Sequence, residues 1–182
     1  MTRALIVYES MYGTNEDIPT AIVDGVRSAG AAADLVPVSE APNAIPSDVS
    51  LLIVGGPNHA TGLSTPSSRL SAAQQTDEPL VTGDRGLREW FEELQPPIAE
   101  VAAAPYDTRL AKPRFLRWLD RASRGIDKRM RSRGLHVVVN AEHFFVQSAE
   151  GPLKGGELAR ARRWGEALAT YVTAARPVAE QT

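Results

Sequence analysis

An uninterrupted apolar strand sits almost at the start of the chain and breaks at once into a loop of small and hydroxyl residues. The segment reads Ala4-Leu5-Ile6-Val7-Tyr8-Glu9-Ser10-Met11-Tyr12-Gly13-Thr14-Asn15-Glu16. An apolar run without polar alternation is what a strand covered on both faces needs, and that is the condition of a parallel sheet. A helical pattern follows, from Ile18 to Ala29, with Ile22, Val26 and Ala29 on one face and Gly30 as its stop. A strand feeding a helix through such a loop aims hydroxyls and backbone N–H groups at one point, at the helix's positive end. The chemistry suited to that point is phosphate binding.

The same alternation runs on through the chain. Ala33 to Val38 reads as a short strand, and Pro42 to Pro46 as a turn-rich connection. Val49 to Val54 is the strongest strand, ended by Gly55-Gly56-Pro57. A polar stretch from Asn58 to Asp84 holds one short helix around Ser67 to Gln75, and Leu87 to Leu94 is helical. Val101 to Tyr106 is the next strand. Phe115, Leu119, Ala122, Ile126 and Met130 then recur at helical spacing, with Arg117, Arg121, Arg124, Lys128 and Arg131 on the opposite face. Leu135 to Val139 is strand, and Phe144 to Val146 continues it after an interruption. Glu157 to Val172 closes the pattern as a helix with Leu158, Ala161, Trp164, Leu168 and Val172 inward.

Strands alternating with helices predict a three-layer α/β/α sandwich around a five-stranded parallel sheet. The 182 residues suit one domain, expected over 1–176, with Pro177 to Thr182 as a C-terminal tail. Ligands of such sheets bind outside the carboxyl ends of the strands. The loops that matter are therefore Ser10–Asn15, Gly55–Gly62 and Asp107–Arg114.

Composition removes several chemistries. There is no cysteine, which excludes disulfides, thiol nucleophiles and Cys-ligated metals. The 3 His are dispersed, so no metal site is expected. No apolar run reaches the ~18 residues of a membrane span. Only Met1, Thr2 and Arg3 precede the first strand, so no signal peptide is read and a soluble cytoplasmic protein is expected. No Gly-x-Gly-x-x-Gly follows the first strand, no Gly-Lys-Ser/Thr occurs, and Gly-x-Ser-x-Gly is absent. The third strand ends in Gly-Gly-Pro where a phospho-receiver domain needs acids.

The net charge of −2 hides an uneven distribution. Residues 109–133 hold ten of the 20 basic side chains and two acids, Asp120 and Asp127, so this segment stands at +8 and the remainder at −10. Such a stripe is either a solvated helix face or a contact for an acidic partner, an anionic substrate or a phosphate. Nucleic acid is not expected, because no aromatic platform is interleaved with the charges.

Taken together, the three loops resemble the flavodoxin-like family of FMN-binding proteins. Ser10-Met11-Tyr12-Gly13-Thr14-Asn15 is similar to the family's hydroxyl-x-x-Gly-Asn-Thr phosphate loop with the last two residues exchanged. Leu51-Leu52-Ile53-Val54-Gly55-Gly56-Pro57-Asn58-His59 resembles a strand ending in Gly-Gly-Pro-Thr-His in one subgroup. Tyr106-Asp107-Thr108-Arg109, Glu150-Gly151-Pro152-Leu153, Gly156-Glu157 and Trp164-Gly165 fit the same subgroup in order.

The resemblance implies FMN held by its phosphate at Ser10, Met11, Tyr12, Gly13, Thr14 and Asn15. It places Pro57, Asn58, His59 and Gly62 beside the flavin ring, with Tyr106, Asp107 and Thr108 on the other side. Individual roles stay open. His59 is the flat side chain of its loop or a turn hydrogen bond; Asn58 bonds the ring or makes an Asx-turn. Pro57 is turn geometry. Tyr106 stacks on the ring or ends the core of its strand. Arg109, Lys112 and Arg114 bring positive charge to the same end, which would raise a bound flavin's potential. His136 is expected in the core, and His143 with Glu142 near a ligand. Pro19 removes an N–H: a helix starting at Asn15 would meet it as an interior break, whereas a start at Asp17 puts it in the tolerated first turn.

The implied function is electron transfer through non-covalent FMN, to a redox partner protein or a small acceptor such as a quinone, with no catalytic side chain and no metal required. Two other readings are kept. One is a flavin-free binding or regulatory module acting through its basic helix, 115–133; the other is an NAD(P)H-dependent enzyme of the wider superfamily.

Overall fold

The computed structural model describes residues 1–10, 16–57, 63–73, 85–110, 122–147 and 152–175. The elements in chain order are β1 (Arg3–Tyr8), α1 (Asp17–Ser28), β2 (Ala32–Pro37), β3 (Leu51–Pro57), α2 (Pro66–Ala73) and α3 (Leu87–Glu93). They continue with β4 (Ala102–Leu110), α4 (Ala122–Ser132), β5 (His136–Val137), β6 (Glu142–Val146) and α5 (Glu157–Ala175). All strand pairs in the sheet are parallel and run in the order β2-β1-β3-β4-β5, with β6 also beside β4. The interruption expected in the last strand is thus real: β5 and β6 both lie along β4, at Ala102–Ala103 and at Tyr106–Leu110.

Alternation divides the core into two layers. Leu5, Val7, Leu52, Val54 and Ala103 face α3 and α4, where Trp90, Phe91, Ile126 and Met130 are buried. Ala4, Ile6, Leu51, Ile53 and Ala104 face α1 and α5, against Ile18, Ile22, Val26, Leu168 and Val172. The strand residues are apolar on both faces because both faces are covered, and each large side chain so buried contributes about 1.5–3 kcal/mol.

The two helices of the second layer touch backbone to backbone. A Cβ at Gly25 on α1 would overlap the Arg162 carbonyl of α5, and one at Gly165 on α5 would overlap the Ile22 carbonyl of α1. This reciprocal pair gives Trp164-Gly165 a packing reason.

Of the two starts open to α1, the structure has the one at Asp17, so Pro19 occupies its first turn, and the Thr20 N–H donates to the Glu16 carbonyl at 3.0 Å. Other expectations change. β3 spans Leu51–Pro57 rather than Val49 to Val54, so Gly55, Gly56 and Pro57 belong to the strand. Leu158 is 46% exposed rather than inward, since α5 meets the sheet along the line of Ala161, Leu168 and Val172. His136 is not a core residue: its side chain is 59% exposed and its Nδ1 lies 2.9 Å from Glu100 Oε1. The stretch 115–121 of the basic helix and the tail Pro177–Thr182 lie outside the described residues.

Candidate functional site

β1, β3 and β4 end side by side, and the crossover from β1 to β2 goes one way while β3 goes the other. This is the switch point where open α/β sheets leave a crevice. Four residues stand abreast on the α3/α4 face at that edge. Glu9 lies one residue beyond the Tyr8–Gly55 pairing, Gly56 pairs with Asp107, and Asp107 pairs with His143.

Glu9 is 2% exposed. Its Oε2 accepts the Leu87 N–H at 2.9 Å, so the carboxyl caps α3 from another strand. Burial raises its pKa; the Leu87 N–H, the Ser64 hydroxyl and the Arg69 charge act against that, and Glu89 adds to it. Arg69, itself buried, donates to Ser64 Oγ at 2.9 Å and pairs with Glu89 at 3.2 Å. Gly56 leaves the room that Glu9 uses: a Cβ there would stand 3.0 Å from Glu9 Cβ and 3.2 Å from Leu87 Cδ1.

Asp107 is fully buried and Arg109 is 6% exposed. Residues two apart share a strand face, so Arg109 reaches back over Asp107. Its Nε donates to Oδ1 at 2.7 Å and its Nη2 to Oδ2. The polar stretch expected as a loop after Tyr106 is therefore strand through Leu110: the pair neutralises itself and can be buried. Burial works to raise the Asp107 pKa, but hydrogen bonds from His143 and Arg109 and their charges hold it below the usual range. The positive charge of Arg109 that was expected to act on a ligand is thus offset within the site.

His143 Nδ1 lies 2.8 Å from Arg109 Nη2 and 3.1 Å from Asp107 Oδ1. Its main-chain carbonyl accepts from Arg160 Nη2, and Arg160 also pairs with Glu142 and Glu157. Glu142, expected with His143 near a ligand, is instead committed to α5.

On the other face, Tyr106 is 1% exposed, with its ring 5.9 Å from Phe144 and 6.2 Å from Trp164. Its ring belongs to the core layer between the sheet and α5. Gly55 is the residue that lets it: a Cβ there would overlap the ring. Burial pushes the Tyr106 hydroxyl far up. Thr108 is buried and Pro57 half-buried.

At the phosphate-loop corner, the Ser10 side chain is buried at the end of β1. The side chain of Glu16, the N-cap residue of α1, does not cap the helix; it accepts instead from the Tyr8 hydroxyl at 3.1 Å. Burial, then that bond and the charges of Glu16 and Glu40, push the Tyr8 hydroxyl up to about 12. The expected site residues Met11, Tyr12, Gly13, Thr14, Asn15, Asn58, His59 and Gly62, with Lys112 and Arg114, lie outside the described residues.

Glu9 was missed by the sequence reading. Its signal is the strand period itself, since Glu9 continues Leu5 and Val7 onto the buried face.

A doubly wound parallel sheet in this strand order defines a class of open α/β folds. Within that class the chain has the flavodoxin-like fold. It is similar to the flavodoxin of Streptococcus pneumonia TIGR4, at 15% identity and a TM-score of 0.63 over 93% of this chain and 99% of that one. It is similar to a flavodoxin, WrbA-like protein from Agrobacterium tumefaciens, at 16% identity and a TM-score of 0.59 over 97% and 100%. The two-electron reduced flavodoxin of Megasphaera elsdenii matches at 19% identity and a TM-score of 0.58 over 91% and 98%. No family model matches the chain, and neither does any curated protein. No described helix is long and apolar enough to cross a membrane.

Proposed function

We propose that this chain is a cytoplasmic flavodoxin-like redox protein that binds FMN non-covalently and passes electrons to a partner protein or a small acceptor such as a quinone. The observation that carries this is the start of α1, which the side chain of its own N-cap residue Glu16 leaves open, beside the end of β1 at the switch point of a flavodoxin-like sheet.

The residues fit a phosphate. α1 begins at Asp17, and Pro19 removes one donor but leaves the Asp17 and Ile18 N–H groups of the first turn. The Ser10 hydroxyl lies at the end of the adjoining strand, and Glu16 turns toward Tyr8 rather than closing the helix end. Ser10, Met11, Tyr12, Gly13, Thr14 and Asn15 would hold the phosphate with hydroxyls and amides. Pro57, Asn58, His59 and Gly62 would flank the ring on one side. Asp107 and Thr108 would support the other, over the core that Tyr106 closes.

When bound, FMN supplies reversible electron transfer. The chain's own part is binding, orientation and charge balance. Asp107 and Arg109 form a neutral buried pair, which would give a bound ring a polar neighbour without a net charge.

The similar structures named above are flavodoxins or flavodoxin-like proteins, which supports the flavin reading over a flavin-free module. Purified protein should show flavin absorbance in the visible, or acquire it on titration with FMN at about one equivalent. No absorbance and no binding of added FMN would overturn the reading.

A further inference from the structure

α4 turns Ile126 and Met130 into the core and leaves Arg124, Lys128 and Arg131 exposed. Asp127 is the acid of this helix, and both its oxygens lie 3.2 Å from Arg131 Nε. Arg124 and Lys128 therefore keep their charge unopposed on α4 itself. Arg129, on the side of α4 toward α3, has both signs of charge near it. Arg129 is half-buried, and burial first, then the nearby Arg88 charge, lowers its pKa against the opposite pull of Glu92 and Glu89. Glu89 is already paired with Arg69.

The first turn of α4 lies near the edge of the sheet where the site lies. A Cβ at Gly125 would stand 3.7 Å from the Leu63 side chain, and Leu63 follows directly on the 58–62 segment at the end of β3. Residues 109–133 carry +8 while the rest of the chain carries −10. So lopsided a charge distribution orients the molecule in the field of a charged partner before contact and accelerates encounter.

We propose that the exposed face of α4 docks an acidic electron-carrier protein and holds it against the carboxyl edge of the sheet. That the partner carries electrons rests on the flavin reading; the docking itself rests on charge and position. Charge complementarity calls for an acidic partner, and two further features favour a protein surface over nucleic acid. α4 contains no aromatic side chain on which bases would stack, and the −10 remainder repels an extended polyanion.

The test measures binding of the full-length chain to an immobilised acidic [2Fe–2S] ferredoxin over increasing salt. Wild type is compared with Arg124→Glu/Lys128→Glu and with Arg162→Glu/Arg163→Glu, an equal charge change at exposed positions of α5 on the other layer. Circular dichroism checks that both variants fold. The expected result is salt-sensitive binding, weakened about tenfold or more by the α4 pair and about twofold or less by the α5 pair.

No binding by wild type at low salt, equal loss in both variants, or tighter binding to a single-stranded RNA homopolymer overturns the proposal. FMN titration of the same samples separates the two readings. Docking without FMN binding would sink only the flavin; FMN binding without docking would sink only this surface.

Discussion

Asp107 and His143 face each other across adjacent parallel strands, with Oδ1 and Nδ1 3.1 Å apart, while the same Nδ1 lies 2.8 Å from Arg109 Nη2. The two bonds exclude each other. Accepting from Arg109 needs a bare Nδ1, and donating to Asp107 needs a protonated one. The proton on His143 decides which partner it keeps, and Asp107 serves as counter-charge in either case.

The Asp107 pair ties stability to acid. A carboxyl whose folded pKa is depressed contributes stability that is present above its unfolded pKa and lost as pH falls through the folded one. Asp107→Asn is expected to cost about 3 kcal/mol at neutral pH, because it leaves Arg109 buried without a carboxylate. The variant should also lose part of the acid sensitivity of the wild type. Urea unfolding from neutral pH down to about pH 3 checks both; parallel curves for the two proteins would refute the assignment.

Glu9 predicts the opposite slope. Its folded pKa is raised, mainly by burial. The folded state then binds more protons than the unfolded state above the ordinary carboxyl range, and stability falls as pH rises. Glu9→Gln keeps a carbonyl for the Leu87 N–H and removes the titration. Its unfolding free energy should therefore be flatter than that of the wild type as pH rises above the ordinary carboxyl range.

Gly55 and Tyr106 make a packing prediction. Gly55→Ala drives a methyl into the Tyr106 ring and should destabilise by about 1–3 kcal/mol. Gly155→Ala is the matched control: nothing lies within 4 Å of its Cβ and its φ is not positive. It should stay within ~0.5 kcal/mol of wild type. Thermal unfolding of the two variants side by side distinguishes them, and equal midpoints would show that Tyr106 moves aside freely.

These residues mark what could be read from the chain in advance. β1, β3, α1 and α5 were legible because apolar runs and helical periods state their burial directly. The continuation of β4 was not, because Asp107, Thr108 and Arg109 look like a loop until Arg109 is seen folded back on Asp107. His136 failed for the reverse reason: its apolar neighbours promised burial, but β5 is only two residues long and its outer face is open. Gly55 and Gly56 were read as part of a ligand loop, and in the structure each has a neighbour filling its missing side chain. The exposed face of α4 followed from periodicity, since Ile126 and Met130 fix its inner side.

Glu16 gives the prediction that bears most directly on the phosphate corner. It is the N-cap residue of α1, contributes no side-chain cap, and places a carboxylate beside the helix's positive end. A bound phosphate would meet the same end and be repelled by that carboxylate. Neutralising it should therefore tighten FMN binding, by about 0.3–1 kcal/mol for one charge in the first turn, or roughly two- to fivefold in Kd. The gain in Glu16→Gln should shrink with added salt, since the effect is Coulombic at a partly solvated position. The amide carbonyl that this substitution introduces still accepts from the Tyr8 hydroxyl, so the corner keeps its shape while losing its charge. Ser10→Ala should act the other way, weakening FMN binding by removing a hydroxyl at the end of β1. Fluorescence titrations of FMN into the three proteins at low and high salt would test the pair. If Glu16→Gln binds FMN no better than wild type at low salt, the phosphate does not lie at the start of α1.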